Sequence, residues 1–224
     1  MGPDERLAAP AMGAGAQRPA AVLIARLRER LAAGDDPLFV GIDGRSGVGK
    51  STLAAVVSKD LAEPRGGAGQ VTVIDGDDFY AGGSAEAWDR WLAAEKADRV
   101  IDWRRQRDVL EALRRVGLAA WHPFDWDAED WDSNIVPLAP VPTVARAAPV
   151  VVLEGAYSCR PELHDLLDLR VLLDAPRDVR RRRLLEREGD AHQADWEARW
   201  ATAEDHYFGT TMPPERFDLV LGSP

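Results

Sequence analysis

"GIDGRSGVGKS", residues 41 to 51, follows the apolar run Leu38-Phe39-Val40 and places four glycines in eleven positions. Glycine loses more backbone freedom on folding than any other residue, so such a cluster predicts a loop that must approach something closely. From Gly44 the chain reads Gly44-Arg45-Ser46-Gly47-Val48-Gly49-Lys50-Ser51-Thr52, which fits the pattern G-x-x-x-x-G-K-[ST] in full. In that pattern the glycines let successive backbone N–H groups turn inward and form a concave anion nest. A helix opening near Lys50 adds the positive end of its dipole. Lys50 supplies a point charge toward the β- and γ-phosphates of a nucleotide, and the Ser51 hydroxyl suits a Mg²⁺ ion. A chance glycine-rich turn is the bland alternative. A strand-like run before the loop and Lys-Ser-Thr in register after it argue against that.

Outward from this loop, strand and helix signals alternate. Residues 20–33 place Leu23, Leu27 and Leu31 four apart, an amphipathic helix closed by Gly34 and Pro37. "LFVGID" reads as a buried strand, and Lys50 to Leu61 as a helix with Leu53, Val57 and Leu61 on one face. "EPRGGAGQ" is a surface loop, "VTVID" a second strand, and residues 84–94 and 104–116 are helical. "GLAAWH" is a short strand candidate, and the stretch from there to Pro142 is irregular and acidic. "PVVVLEG", "LRVLLD" and "FDLVL" are further strands, with helices at about 176–188 and 192–207 among them. This alternation predicts an α/β fold with a mostly parallel sheet and helices on both faces. Met1 to Pro19, rich in Ala, Gly and Pro, reads as a flexible tail, and residues 20–224 as one domain. No internal repeat stands out.

Composition narrows the function classes. The chain has 224 residues, 46% of them hydrophobic and 29% charged, which suits a globular core. Its formal net charge of −10 argues against nucleic acid as a partner, because that contact requires a basic surface. Cys159 is the single cysteine, so no internal disulfide can form, and it reads as a small buried residue. No apolar run approaches the roughly 20 residues of a membrane span, and the acidic N-terminus makes a poor secretory signal. A cytoplasmic protein with no membrane partner is expected; a homo-oligomer is left open. The guanine-selective N-K-x-D is absent, and "VVVLEG" ends in Glu154-Gly155 rather than the Asp-Glu pair usual for oligomeric ATPases.

With "GIDGRSGVGKSTLA", "VIDGDDFY" and "VVLEG" in that order, the chain resembles the uridine kinase-like branch of P-loop kinases over about residues 38 to 221. The resemblance implies the P-loop kinase fold, ATP and Mg²⁺, and transfer of the γ-phosphoryl to a hydroxyl of a small molecule. It puts the general base on Asp77 and a metal-associated glutamate on Glu154, so that Ser51, Asp77 and Glu154 form the expected metal set. It places an arginine-bearing lid over the phosphates at about 176–190. Within Arg180-Arg181-Arg182-Arg183, its spacing best matches Arg180 and Arg183, which share a helix face. The plain reading of such a run is a solvated face.

For the acceptor, the resemblance implies Tyr80 and Asp102, the latter followed here by Trp103-Arg104 where uridine kinases carry His-Pro. It also implies a substrate-covering segment at about 118–142, in which His122, Phe124 and Trp126 lie beside several carboxylates. Aromatic faces with carboxylates suit a polyhydroxylated or cationic ligand, while packing under a loop explains the same residues equally well. Trp196 and Trp200, four apart on a late helix, read as core. Three functions stay open: a kinase of a nucleoside, sugar or related polyol, an aminoglycoside-like antibiotic phosphotransferase, and a nucleotide-binding switch without catalysis.

Overall fold

The structure, a computed structural model, describes residues 14–62, 70–128, 136–189 and 194–222. Most of the expected tail, most of the "EPRGGAGQ" loop and residues 129–135 of the expected substrate-covering segment therefore lie outside the described residues. The strands are β1 (Leu38–Asp43), β2 (Val71–Asp75), β3 (Leu118–Trp121), β4 (Thr143–Arg146), β5 (Val150–Glu154), β6 (Leu169–Asp174) and β7 (Leu219–Gly222). The helices are α1 (Ala14–Ala32), α2 (Lys50–Ala62), α3 (Ala85–Arg90), α4 (Ala93–Arg99), α5 (Trp103–Val116), α6 (Arg177–Glu188) and α7 (Ala194–His206). α1 begins at Ala14, ahead of the start at residue 20 that the leucine spacing predicts.

Five strands form one sheet in the order β2-β5-β1-β6-β7, and every pairing in it is parallel. Side chains alternate along each strand, so both faces must be covered. Leu38, Val40 and Ile42 of β1 join Val150 and Val152 of β5 against Leu23 and Leu27 of α1 and Leu53 and Val57 of α2. Phe39, Val151 and Leu153 face the other way, onto Val109, Leu110 and Leu113 of α5 and Ala203 of α7. These continuous apolar runs are strands buried on both sides, which is why they show no polar alternation. Among the described residues no helix is long and apolar enough to cross a membrane.

Two local expectations change. The helix expected over 84–94 is two short ones, because Trp91 and Leu92 take extended ψ angles of 141° and 160°. Ser84 caps the first by accepting from Ala87 N at 3.3 Å, and Glu95 restarts the second by accepting from Leu92 N at 2.9 Å. β3 does form, but it pairs antiparallel with β4 in a separate two-stranded ribbon (Ala119 opposite Ala145) within a stretch that ends in an unanticipated strand.

Candidate active site

Parallel strands put all their carboxyl ends on one edge, where ligands of open α/β sheets gather. Here β1, β2, β5 and β6 end in Asp43, Asp75, Glu154 and Asp174. The glycine-rich loop joins that edge of β1 to α2. Gly47 and Gly49 hold φ angles of +75° and +101°, a backbone region that side chains disfavour. The N–H groups that open α2, Lys50 to Thr52, have no partner within the helix, and Leu53 N donates back to Gly49 O at 2.9 Å. Lys50 Nζ donates to Gly44 O at 2.9 Å, folded over the loop.

Asp43, fully buried, anchors the root of this loop. Its carboxylate accepts from Gly44 N at 2.8 Å, Tyr157 N at 3.0 Å, Cys159 N at 3.0 Å and the Tyr207 hydroxyl at 2.8 Å. Tyr157 holds a left-handed φ of 62°, rare for a bulky side chain, just after Glu154-Gly155. Burial pushes Asp43 up to about 6 despite those donors.

Asp75 and Glu154 are register partners on adjacent strands, so their carboxylates lie side by side. Burial first, then the Asp75 charge, pushes Glu154 up to about 7; Lys50 and the Ser51 hydroxyl offset part of this. Asp75 is exposed at the mouth of the cleft, yet the protein around it and the charge of Asp77 push it up to about 6. It also accepts from Asp77 N at 2.9 Å, capping the short turn Gly76–Phe79. Asp77 is exposed on that turn. Asp78 turns the other way, its Oδ2 accepting from Trp121 Nε1 at 2.7 Å. Among the described residues no three acidic, histidine or cysteine side chains converge tightly enough to hold a metal alone. That fits Mg²⁺, which takes one or two protein ligands and completes its shell with phosphates and water. The Ser51 hydroxyl beside Glu154, in a knot of carboxylates that resists further negative charge, suits such an ion.

The arginine run of α6 divides by face. Arg180 and Arg183 lean onto the phosphate loop, donating to Ser46 O at 3.4 Å and Val48 O at 2.9 Å. Arg181 and Arg182 point to solvent with side chains 60% and 63% exposed, against 14% for Arg180. Arg45 pairs with the end of α7, its Nη1 2.6 Å from Asp205 Oδ1.

No protein-family model matches the chain. A uridine kinase of Alkaliphilus metalliredigens is 23% identical over 203 residues, spanning 82% of this chain and 81% of that protein. A uridine kinase of Halobacterium salinarum is 25% identical over 176 residues, 78% of this chain and 71% of that one. The solved structure of a "possible uridine kinase" from Bacillus stearothermophilus shares the fold with a TM-score of 0.64 at 21% identity, covering 92% of this chain and 98% of that one. In sequence the chain is similar to uridine kinases, and it shares the fold of P-loop kinases.

In this P-loop kinase fold the acceptor-side candidates separate into two groups. Tyr80 lies 4.9 Å from Phe124 and 5.2 Å from Trp126 between ring centroids, and Phe124 N donates to Asp78 O at 2.7 Å. Trp200 joins them, 6.3 Å from Tyr80, so a residue expected only in the core also borders this aromatic wall. Phe124 is buried and Trp126 is 40% exposed. The others have different partners. His122 is exposed, with Nδ1 2.9 Å from Ala139 O. Trp103 Nε1 donates to Asp98 at 3.3 Å, and its ring lies under Arg104 and Arg160. Asp102 spends its carboxylate capping α5, accepting from Arg104 N at 3.2 Å and Arg105 N at 3.4 Å. Sequence reasoning missed Asp43, Asp75, Tyr157, Glu204 and Tyr207. Asp43 and Asp75 carried a signal, each as the last residue of a strand that ends at the loop's edge.

Proposed function

We propose that the protein is an ATP-dependent kinase that moves the γ-phosphoryl group of ATP to a hydroxyl of a nucleoside, sugar or related polyol. The observation that carries this reading is the divergence of Asp77 and Asp78: one carboxylate left exposed beside the phosphate-loop edge, the other tied to Trp121. A switch that only senses nucleotide needs no free carboxylate there. In the proposed reaction the loop N–H groups and Lys50 hold the triphosphate and exclude water from its face. Asp77 accepts a hydrogen bond from the acceptor hydroxyl, orients its lone pair toward phosphorus and takes its proton as the new O–P bond forms and the bond to the ADP oxygen breaks. Arg180 and Arg183 meet the charge that spreads over the transferred oxygens. Ser51 and Glu154 would hold Mg²⁺, directly or through water, and that ion would supply charge neutralisation between the β- and γ-phosphates. Tyr80, Phe124 and Trp126 would offer aromatic faces to a base or sugar ring.

The test is an ADP-release assay with Mg-ATP across nucleosides, sugars, vitamins and aminoglycosides. Release stimulated by a nucleoside or polyol is the expected result, and stimulation by aminoglycosides alone would assign the chain to antibiotic modification. Tight Mg-ATP binding with no acceptor phosphorylated would point instead to a nucleotide switch.

A further inference from the structure

Glu204 sits near the end of α7 and is 3% exposed, yet it touches the phosphate loop 158 residues away. Its Oε1 accepts from the Ser46 backbone N–H at 2.6 Å and from the Ser46 hydroxyl at 2.7 Å. One peptide of the glycine-rich loop is therefore already held by a protein carboxylate. Two guanidinium groups balance it: Arg45 Nη1 at 3.8 Å and Arg180 Nη1 at 3.9 Å from Oε2. A buried carboxylate persists only when paired and hydrogen-bonded, and the loop and lid supply both conditions. Three residues on, the Tyr207 hydroxyl bonds Asp43 at 2.8 Å, at the loop's root. The segment 204–207 thus holds the loop at two points, its root and its outer turn.

We propose that Glu204 is a positioning residue for phosphoryl transfer, which fixes the outer turn of the phosphate loop through Ser46 so that the nest is shaped before nucleotide arrives. This rests on the reading above that the loop binds ATP. A nest whose peptides are already oriented does not lose that ordering entropy on binding. Freed from Glu204, the Ser46 peptide would rotate and the loop would have to be ordered by the ligand. The oxygen that accepts from Ser46 carries this role, and the negative charge serves mainly to match Arg45 and Arg180.

That division makes the test sharp. Glu204→Gln keeps an oxygen at the same reach, whereas Glu204→Asp keeps the charge but draws the oxygen back by one methylene. Mg-ATP affinity is measured by calorimetry on the full chain, beside the thermal midpoint of each variant. Glu204→Ala is expected to weaken Mg-ATP about tenfold, the scale of losing hydrogen bonds to a charged acceptor. Glu204→Gln should stay within about threefold of wild type and Glu204→Asp should fall clearly below Gln, the reverse of what charge alone dictates. Should Ala fail to fold, the order of Gln and Asp decides by itself. Asp binding as well as or better than Gln would overturn the proposal, as would Ala at wild-type affinity. A wild-type chain that binds no Mg-ATP would instead defeat the nucleotide reading of the loop.

Discussion

Asp77 and Asp78 are neighbours in sequence with opposite surroundings. The Asp78 carboxyl is raised by burial, partly offset by the Trp121 N–H and the Arg105 charge, and its backbone carbonyl pins Phe124. It is a structural link between the β2 turn and the β3 ribbon. Asp77 is exposed, and the proposed reaction makes it the base for the acceptor hydroxyl. Asp77→Asn keeps the shape and removes the base, so kcat should drop roughly 10²-fold or more with Mg-ATP affinity little changed. Asp78→Asn keeps an oxygen for Trp121 and should leave kcat near wild type. Steady-state kinetics with an identified acceptor, and calorimetry for nucleotide, check both. A dead Asp78→Asn enzyme beside an active Asp77→Asn one would put the base one residue later.

Helix α6, the proposed lid, shows what an element adds to its residues. A helix repeats every 3.6 residues, so α6 sends Arg180 and Arg183 to the loop and Arg181 and Arg182 to water. The backbone closes around the same contact: a Cβ on Gly47 would come within 2.5 Å of Arg180 O. Replacing Arg180 and Arg183 with Ala should therefore lower kcat well beyond any change in thermal midpoint, since their charge matters most in the transition state. An equal loss from Arg104→Ala with Arg105→Ala would place the lid elsewhere. A second element, the short turn Pro161–Leu166, carries a pH test. His164 places Nε2 3.0 Å from Cys159 O and Nδ1 3.2 Å from Arg170 Nη1. Facing a guanidinium, Nδ1 must stay unprotonated and accept, so Nε2 carries the hydrogen. Burial, with the Arg170 and Arg216 charges, holds this histidine below its ordinary value despite the Cys159 carbonyl and Asp218. At this site the unfolded chain binds more proton than the folded one as pH falls below about 6.5, so the His164 contribution is destabilising in that direction, opposite in sign to that of the raised Asp43, Asp75 and Glu154. The unfolding free energy of His164→Gln minus that of wild type should therefore rise as pH is lowered from 7 to 5, and a difference that stays flat with pH would remove His164 from the pH response. The elements also show why parts of the sequence were legible. Buried parallel strands announce themselves by apolar runs, and the loop by its glycines. β4, with Thr143 and Val144 exposed, has no buried face to give it a pattern, and the break at Trp91-Leu92 depends on a local cap rather than a period. Glu204 reaches Ser46 only through the fold, and no spacing along the chain encodes that contact.

At the scale of the whole molecule, the sheet gathers negative charge at one edge of a chain already at −10. Asp75, Asp77, Asp78 and Glu154 crowd there, and Asp75 and Glu154 are both pushed up from the ordinary carboxylate range. Lys50 is the loop's cation among them, and it lowers both groups. In the proposed reading an anionic nucleotide would bind here through the loop's N–H groups, Lys50, Arg180 and Arg183, and Mg²⁺ would offset the carboxylates. Such binding should stabilise the entire fold, because only the folded chain assembles these groups from β1, β2, β5 and α6. At a free Mg-ATP concentration about 100 times Kd the gain is about 2.7 kcal/mol, which for a domain of this size raises Tm by roughly 5–10 °C. Mg²⁺ alone, lacking the phosphates that complete its shell, should give a much smaller shift. Lys50→Ala removes the bonds to Gly44 O and Arg45 O, at 2.9 and 3.4 Å, from a partly exposed side chain. Its unliganded Tm should accordingly stay close to wild type while its Mg-ATP shift largely disappears and its turnover is lost. Thermal unfolding of both proteins with Mg²⁺, ATP and Mg-ATP separates these contributions. A full Mg-ATP shift in Lys50→Ala would mean that the phosphates are held somewhere other than the glycine-rich loop.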